Sequence, residues 1–155
     1  MNKKMIYWIL CFLFSFLGFY LIEHVFTVKP HVVSGNGNLG ILIIFLFTPV
    51  FISSWVYTFK RAKATLLKNN KIAIGLLLLS LAVSALLMIG IYDYTSELIM
   101  ALGGKPDNPE SRIYRFGWFN QYTNSLYFNV YTFFLSQIAA VVFGIFSAMR
   151  SSKLY

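Results

Sequence analysis

The sequence predicts an all-α integral membrane protein, an up-down bundle of four transmembrane helices with both termini cytoplasmic. Three observations predict it. Four long apolar stretches, about Met5–Ile22, Leu39–Tyr57, Ile72–Tyr92 and Tyr127–Met149, are each long enough to cross hydrocarbon. Of 155 residues, 58% are hydrophobic and only 12% charged, too thin a charged shell for a soluble domain of this size. The polar segments also alternate in charge. All 5 acids (Glu23, Asp93, Glu97, Asp107, Glu110) follow the first and third stretches. Lys3, Lys4, Lys60, Arg61, Lys63, Lys68, Lys71, Arg150 and Lys153 flank the opposite ends. Basic segments are retained on the cytoplasmic side, which orients the bundle.

The first span reaches roughly 27 Å at the helical rise, just enough to cross. Tyr7 and Trp8 at one end and Tyr20 at the other match an interfacial aromatic belt. Lys3 and Lys4 ahead of an apolar run resemble a signal peptide, but Phe16–Ile22 offers no small-x-small cleavage site, so a retained helix is expected. A short outer loop follows, from Glu23 to about Asn38. Its β-branched stretch Phe26–Val33 is interrupted by Pro30 and ends in a turn over residues 34–38. An extended strand there could not stand alone.

The second span carries Pro49 near its centre, which strands the Phe45 carbonyl and predicts a kink compensated by Thr48, Ser53 or a neighbouring helix. Trp55 and Tyr57 mark its inner end, before the acid-free basic loop Lys60–Lys71. The third span sets Ser80, Ser84 and Ala85 on one side, and Asp93, Tyr94 and Glu97 mark its exit. The second outer segment, Asp93–Leu126, is the larger one. It is read as helical through Glu97–Leu102, broken at Gly103-Gly104 and turned near Pro106 and Pro109, with a short helix in the loop. In the fourth span Ser136, Ala140, Gly144 and Ala148 recur every fourth residue, a small-residue groove that lets another helix approach closely. An internal helix is the expected partner; a second copy or another protein is the alternative. The whole chain, 1–155, reads as a single membrane domain.

Charge and composition exclude several function classes. The net charge of +8 lies at membrane ends, where anionic headgroups explain it without nucleic acid. One cysteine, Cys11, permits no intramolecular disulfide. None of the four spans contains Asp, Glu, Lys, Arg or His, which argues against charge-coupled transport and intramembrane proteolysis. There is no intramembrane histidine pair for haem and no phosphate-cradling glycine loop, so no cofactor is expected. Gln137 is the most polar residue at depth and calls for an interhelical hydrogen bond.

Two constellations remain. Glu23, His24, Asp93 and Glu97 leave the first and third helices at one depth and could hold a divalent cation or act as acid and base. The spacing supplies no His-x-x-x-His pair, and no metal is expected. Arg112, Tyr114, Arg115, Phe116, Trp118, Phe119 and Tyr122 mix cations with aromatics on the outer side. That mixture suits either insertion among headgroups or contact with another protein. The sequence therefore points to a non-enzymatic membrane protein of the bacterial cytoplasmic membrane that acts by contact, as an accessory subunit, regulator or immunity-type protein. Its partners would be the lipid bilayer and a membrane or extracytoplasmic protein, with a homo-oligomer as a further possibility and no nucleic acid. The rival readings are a small oligomeric transporter, channel or pore and, behind it, an outer-face enzyme.

Overall fold

Six α-helices and one π-helical turn make up the structure, a computed structural model that describes residues 3–35, 37–66 and 70–152. They are α1 (Lys3–Leu21) with its π-helical extension Ile22–Phe26, α2 (Leu39–Leu66), α3 (Asn70–Ala101), α4 (Arg112–Phe116), α5 (Asn124–Tyr127) and α6 (Val130–Ser152). Four of them are long and apolar enough to cross a membrane, as fits a multi-pass membrane protein. No strand occurs among the described residues, so the loop after α1 contains none. Lys68, Lys153 and Asn36 of the predicted turn lie outside the described residues.

Helix lengths fall into two classes. α1 has 19 residues and α6 has 23, while α2 has 28 and α3 has 32. At the helical rise the first pair spans roughly 28 and 35 Å, close to the hydrocarbon thickness, and the second roughly 42 and 48 Å. The longer pair exceeds that thickness. α2 continues through Lys60, Arg61 and Lys63, so these cations do not mark the end of the helix. α3 likewise continues past Asp93 and Glu97 to Ala101. α2 also runs on through Pro49, whose ring faces outward, and the Thr48 hydroxyl donates to the Ile44 carbonyl at 2.7 Å. The last apolar stretch is divided: α5 ends at Tyr127, and α6 starts afresh at Val130 behind Asn129.

α6 is the central helix. It packs against α2, α3 and α1, and α1 lies chiefly on α2. α1 and α2 are antiparallel, with Trp8 bonded to Thr58 and Gly18 against Phe47 and Phe51. α2 and α6 run the same way, since Thr58 meets Gln137 and Ala62 meets Gly144 further along both chains. α3 opposes α6: Ala73 packs with Ile145 and Ala148 at one end, and Gly90 meets Tyr131 at the other.

Two features hold these helices together. Phe133 is fully buried, with Phe12, Phe16, Phe19 and Phe134 around it at centroid distances of 5.1–5.3 Å, mostly edge to face. Such pairs add to plain burial through their quadrupoles. At Gly144 the backbones of α6 and α2 nearly touch: a Cβ there would lie 2.7 Å from the Ala62 Cβ and 2.8 Å from the Phe59 carbonyl oxygen. Lipid tails are as apolar as leucine, so close van der Waals contact of this kind drives helix association in a bilayer. Many other large apolar side chains, such as Phe45 (74% exposed) and Leu86 (69%), face outward as a lipid-contacting surface requires.

Replacing Gly144 with valine must push α6 off the α2 backbone. The expected outcome is a loss of roughly 1–3 kcal/mol in unfolding experiments in detergent, as for overpacked cores. Wild-type stability in Gly144→Val would refute the close approach.

Candidate functional site

The polar chemistry of the molecule gathers in a cap over one end of the bundle, and its folding follows from local sequence. α3 stops because Gly103 and Gly104 take positive φ (90° and 98°), which L side chains adopt only with strain. The Gly104 N–H then bonds back to the Ile99 carbonyl at 2.9 Å, closing the helix end. Buried Ser111 turns the chain, its hydroxyl donating to the Gly104 carbonyl at 2.6 Å and accepting the Ile113 N–H at 3.1 Å. The Arg112 N–H reaches the Leu102 carbonyl at 2.9 Å, which fixes the start of α4 beside the end of α3. Leu102, Ile113 and Tyr122 form a small core here, with Val28, Leu98 and Ile99 around it. The loop after α1 is tied to the same core: the Val28 N–H bonds the Gln121 carbonyl at 2.8 Å, and the Asn38 and Asn124 amides exchange hydrogen bonds of 3.0 and 2.6 Å.

On this frame the aromatic-basic stretch splits into two parts. Phe119 (77% exposed) stacks on Tyr127 at 4.8 Å, and the Tyr127 hydroxyl meets the Trp118 carbonyl at 3.4 Å, so these rings sit beside the start of the last span. Arg112, Tyr114, Arg115 and Phe116 lie on α4 at the level of the α3 terminus. Tyr122 belongs to neither surface. At 1% exposure its ring is inside the cap, beneath the Arg112 guanidinium at 4.2 Å, and its hydroxyl accepts the Ser34 N–H at 3.3 Å. Its side chain is a structural anchor, almost wholly covered by its neighbours. The Arg115 guanidinium lies 5.3 Å from the Phe116 ring. Tyr114, Phe116 and Trp118 are 59%, 42% and 42% exposed, accessible for contact.

The four outer polar residues are not brought to one point. The Glu23 side chain is 7% exposed; its Oε2 accepts the Val130 N–H at 3.1 Å and lies 3.8 Å from the His24 Nε2. Tyr94 lines one small pocket with Glu23 and Ser125. Asp93 and Glu97 are exposed on α3, and the described residues hold no group of three His, Cys, Asp or Glu able to bind a metal. Glu23 is thus a helix cap. Together with Asn129, whose Oδ1 accepts the Thr132 N–H at 2.9 Å, it satisfies the first donors of α6.

Within the bundle, the Trp8 indole donates to Thr58 at 3.0 Å, and the Thr58 hydroxyl donates to the Gln137 Oε1 at 2.8 Å. Gln137 also lines an open cleft of about 310 Å³ with Ser15, Phe19, Phe51, Trp55 and Ser136. Ser80 and Ser84 are half-buried on α3 and do not line it. Of the small-residue ladder, Ala140, Gly144 and Ala148 are buried inside the bundle and Ser136 is half-buried. Gly144 faces α2, and Ala148 packs with Ala73 of α3.

Sequence reasoning missed several of these partners. Thr58, Tyr94, Ser125 and the Asn38–Asn124 pair carry no signal a single sequence displays, being ordinary polar residues with partners far along the chain. Asn129 alone was readable, as an Asn three residues before Thr132 at a helix start. No protein family model, no curated protein and no solved structure matches this chain.

Because the Val130 N–H has the Glu23 carboxylate as its acceptor, Glu23→Ala should cost about 1–3 kcal/mol in detergent unfolding. Glu23→Gln keeps a carbonyl acceptor and should cost less. Asp93→Asn and Glu97→Gln should leave the midpoint where it is. Equal behaviour of all four carboxylate variants would refute the capping role.

Proposed function

We propose that this chain acts by protein contact, as an accessory subunit, regulator or immunity-type protein of a bacterial cytoplasmic membrane, with its cap outside and both termini inside. The orientation rests on the basic residues at one end of the bundle and the acids at the other. One observation carries the functional reading. Two arginines and the exposed rings of Tyr114, Phe116 and Trp118 stand on a frame that buried Tyr122, Ile113 and Ser111 hold rigid. Aromatic residues and arginine dominate binding hot spots, and a fixed frame lowers the entropy lost on binding. Phe119 and Tyr127, at the start of the last span, suit the headgroup layer instead.

The second reading, an oligomeric transporter, channel or pore, is favoured by the cleft beside Ser15, Ser136 and Gln137. Against it, the Gln137 oxygen is already engaged by Thr58. Nothing in the arrangement of Glu23, His24, Asp93 and Glu97 favours an enzyme, and neither a cofactor nor a nucleic acid forms part of the proposal.

Crosslinking in native membranes, followed by identification of co-purifying proteins, tests the contact reading. A reproducible partner is expected, and it should be lost or strongly depleted in the double variant Arg115→Ala/Trp118→Ala, both surface positions. Unchanged co-purification and phenotype in that variant would sink the proposal. Purified protein in liposomes should pass neither ions nor small solutes; a reproducible flux would instead establish the second reading.

A further inference from the structure

Beside the exposed rings, the cap contains a cleft of about 410 Å³ between the extended segment Val33–Gly35 and α4. That volume is within the about 300–1,000 Å³ typical of ligand sites. Arg112 and Arg115 line it together with Ser34, Glu110 and Phe116, and Tyr122 closes its base. Arg112 is braced over the Tyr122 ring and Arg115 lies near that of Phe116. Among the described residues neither guanidinium is in an ion pair. Two guanidiniums lining one mouth, one of them braced, form a receptor for a carboxylate or phosphate oxygen.

We infer that this cleft receives an acidic peptide segment of an extracytoplasmic protein partner, with a carboxylate between Arg112 and Arg115. The inference rests on the contact reading above and names the chemistry of the partner. Three observations favour a peptide over a lipid phosphate. First, the Arg112–Leu102 bond sets the cleft at the end of α3, nine residues and roughly 13 Å of helix beyond Asp93, the first acid after the third apolar stretch. Second, Glu110 on the rim can accept backbone N–H donors that a peptide offers while its own carboxylate meets the arginines, and a phosphodiester group has no donor to offer it. Third, Val33, Pro109 and Phe116 give the walls apolar surface that a bare oxyanion leaves unused and side chains fill. The cleft is also preorganised, because Ser111 and Tyr122 are almost fully buried and both of its walls are hydrogen-bonded to the cap.

Binding of a short fluorescein-labelled peptide of alternating Glu and Leu to the full chain, in nanodiscs of zwitterionic lipid, tests this by fluorescence anisotropy. The Glu peptide should bind, and its Gln-for-Glu analogue at least about tenfold more weakly, the worth of one charge-assisted hydrogen bond. Arg115→Gln, at an exposed position that folding does not need, should weaken the Glu peptide by about the same factor. Arg112→Lys should retain more affinity than Arg112→Gln, and Arg150→Gln, at the far end of the bundle, should change nothing. Equal binding of the two peptides, or an Arg115→Gln variant that binds like wild type, would overturn the inference. Full displacement of the peptide by inorganic phosphate at matched concentration would make the cleft a phosphate site. Displacement by phosphatidylglycerol in the nanodisc would make it a lipid site. Either result overturns the peptide assignment. The contact reading fails separately: if native crosslinks survive Arg115→Ala/Trp118→Ala while peptide binding is lost with Arg115→Gln, the cleft stands and the wider reading falls. If crosslinks are lost but no peptide discrimination is seen, the cleft assignment alone is wrong.

Discussion

The central helix begins beneath the cap, and the rest of the structure is arranged around that start. A helix leaves its first backbone N–H groups without internal partners. At the start of α6 Asn129 is fully buried, so water does not serve as the general solution. The chain supplies acceptors from two places: Asn129 itself for Thr132, and Glu23 for Val130. Glu23 is able to do this because α1 continues as a π-helical turn, Ile22–Phe26, packed on α2 and α5, where its side chain reaches the Val130 N–H. A carboxylate at a helix N-terminus also opposes the positive end of the helix dipole. Tyr94 of α3 lines the same small pocket as Glu23. One acidic side chain therefore ties the end of α1 to the start of α6, beside α3, where the bundle meets the cap.

Much of the bundle was legible and most of the cap was not, for a physical reason. Hydropathy reports which segments are apolar enough for lipid, so all four long helices emerged, with their starts close to the expected ones. It does not report where a helix stops. α2 carries Lys60, Arg61 and Lys63 on a continuing helix because a helix in water with long, flexible cations needs no termination signal there. The break at Gly103-Gly104 was readable because positive φ demands glycine. Tyr122 shows the opposite case. Its composition context, among Arg112, Tyr114 and Trp118, suggests a contact surface, yet the ring is in the core of the cap. Whether an aromatic in a loop is anchor or bait depends on partners far along the chain, here Ser34, 88 residues away. No local pattern encodes that.

The bundle and the cap handle polar groups differently. In the bundle they are few and consumed: Trp8, Thr58 and Gln137 form one chain of bonds joining α1, α2 and α6. The exception is Ser54, whose hydroxyl is buried with no partner, a modest cost in a setting where helix contacts are otherwise dry. Such interhelical bonds are worth on the order of 1 kcal/mol, so close packing at Gly144 and the Phe133 cluster must carry the association. In the cap, buried polar residues are dense. Ser111, Asn120, Thr123, Asn124 and Asn129 all bond backbone or side-chain groups of neighbouring turns. Satisfied networks of this kind fix a single conformation.

That contrast bears on what kind of molecule this is. A protein that moves solute through its membrane portion needs polar groups at depth that are free to exchange partners, and here the most polar of them, Gln137, has its oxygen held by Thr58. A protein that recognises something from outside needs a surface that holds its shape without a large core beneath it. The cap has only Leu102, Ile113 and Tyr122 as its own core, too few to fold an independent domain. It is held instead by its polar network and by attachment to α1, α3 and α6. Its rigidity and the bundle's stability are thus one property: loosening the start of α6 would loosen the wall that carries Arg112 and Arg115.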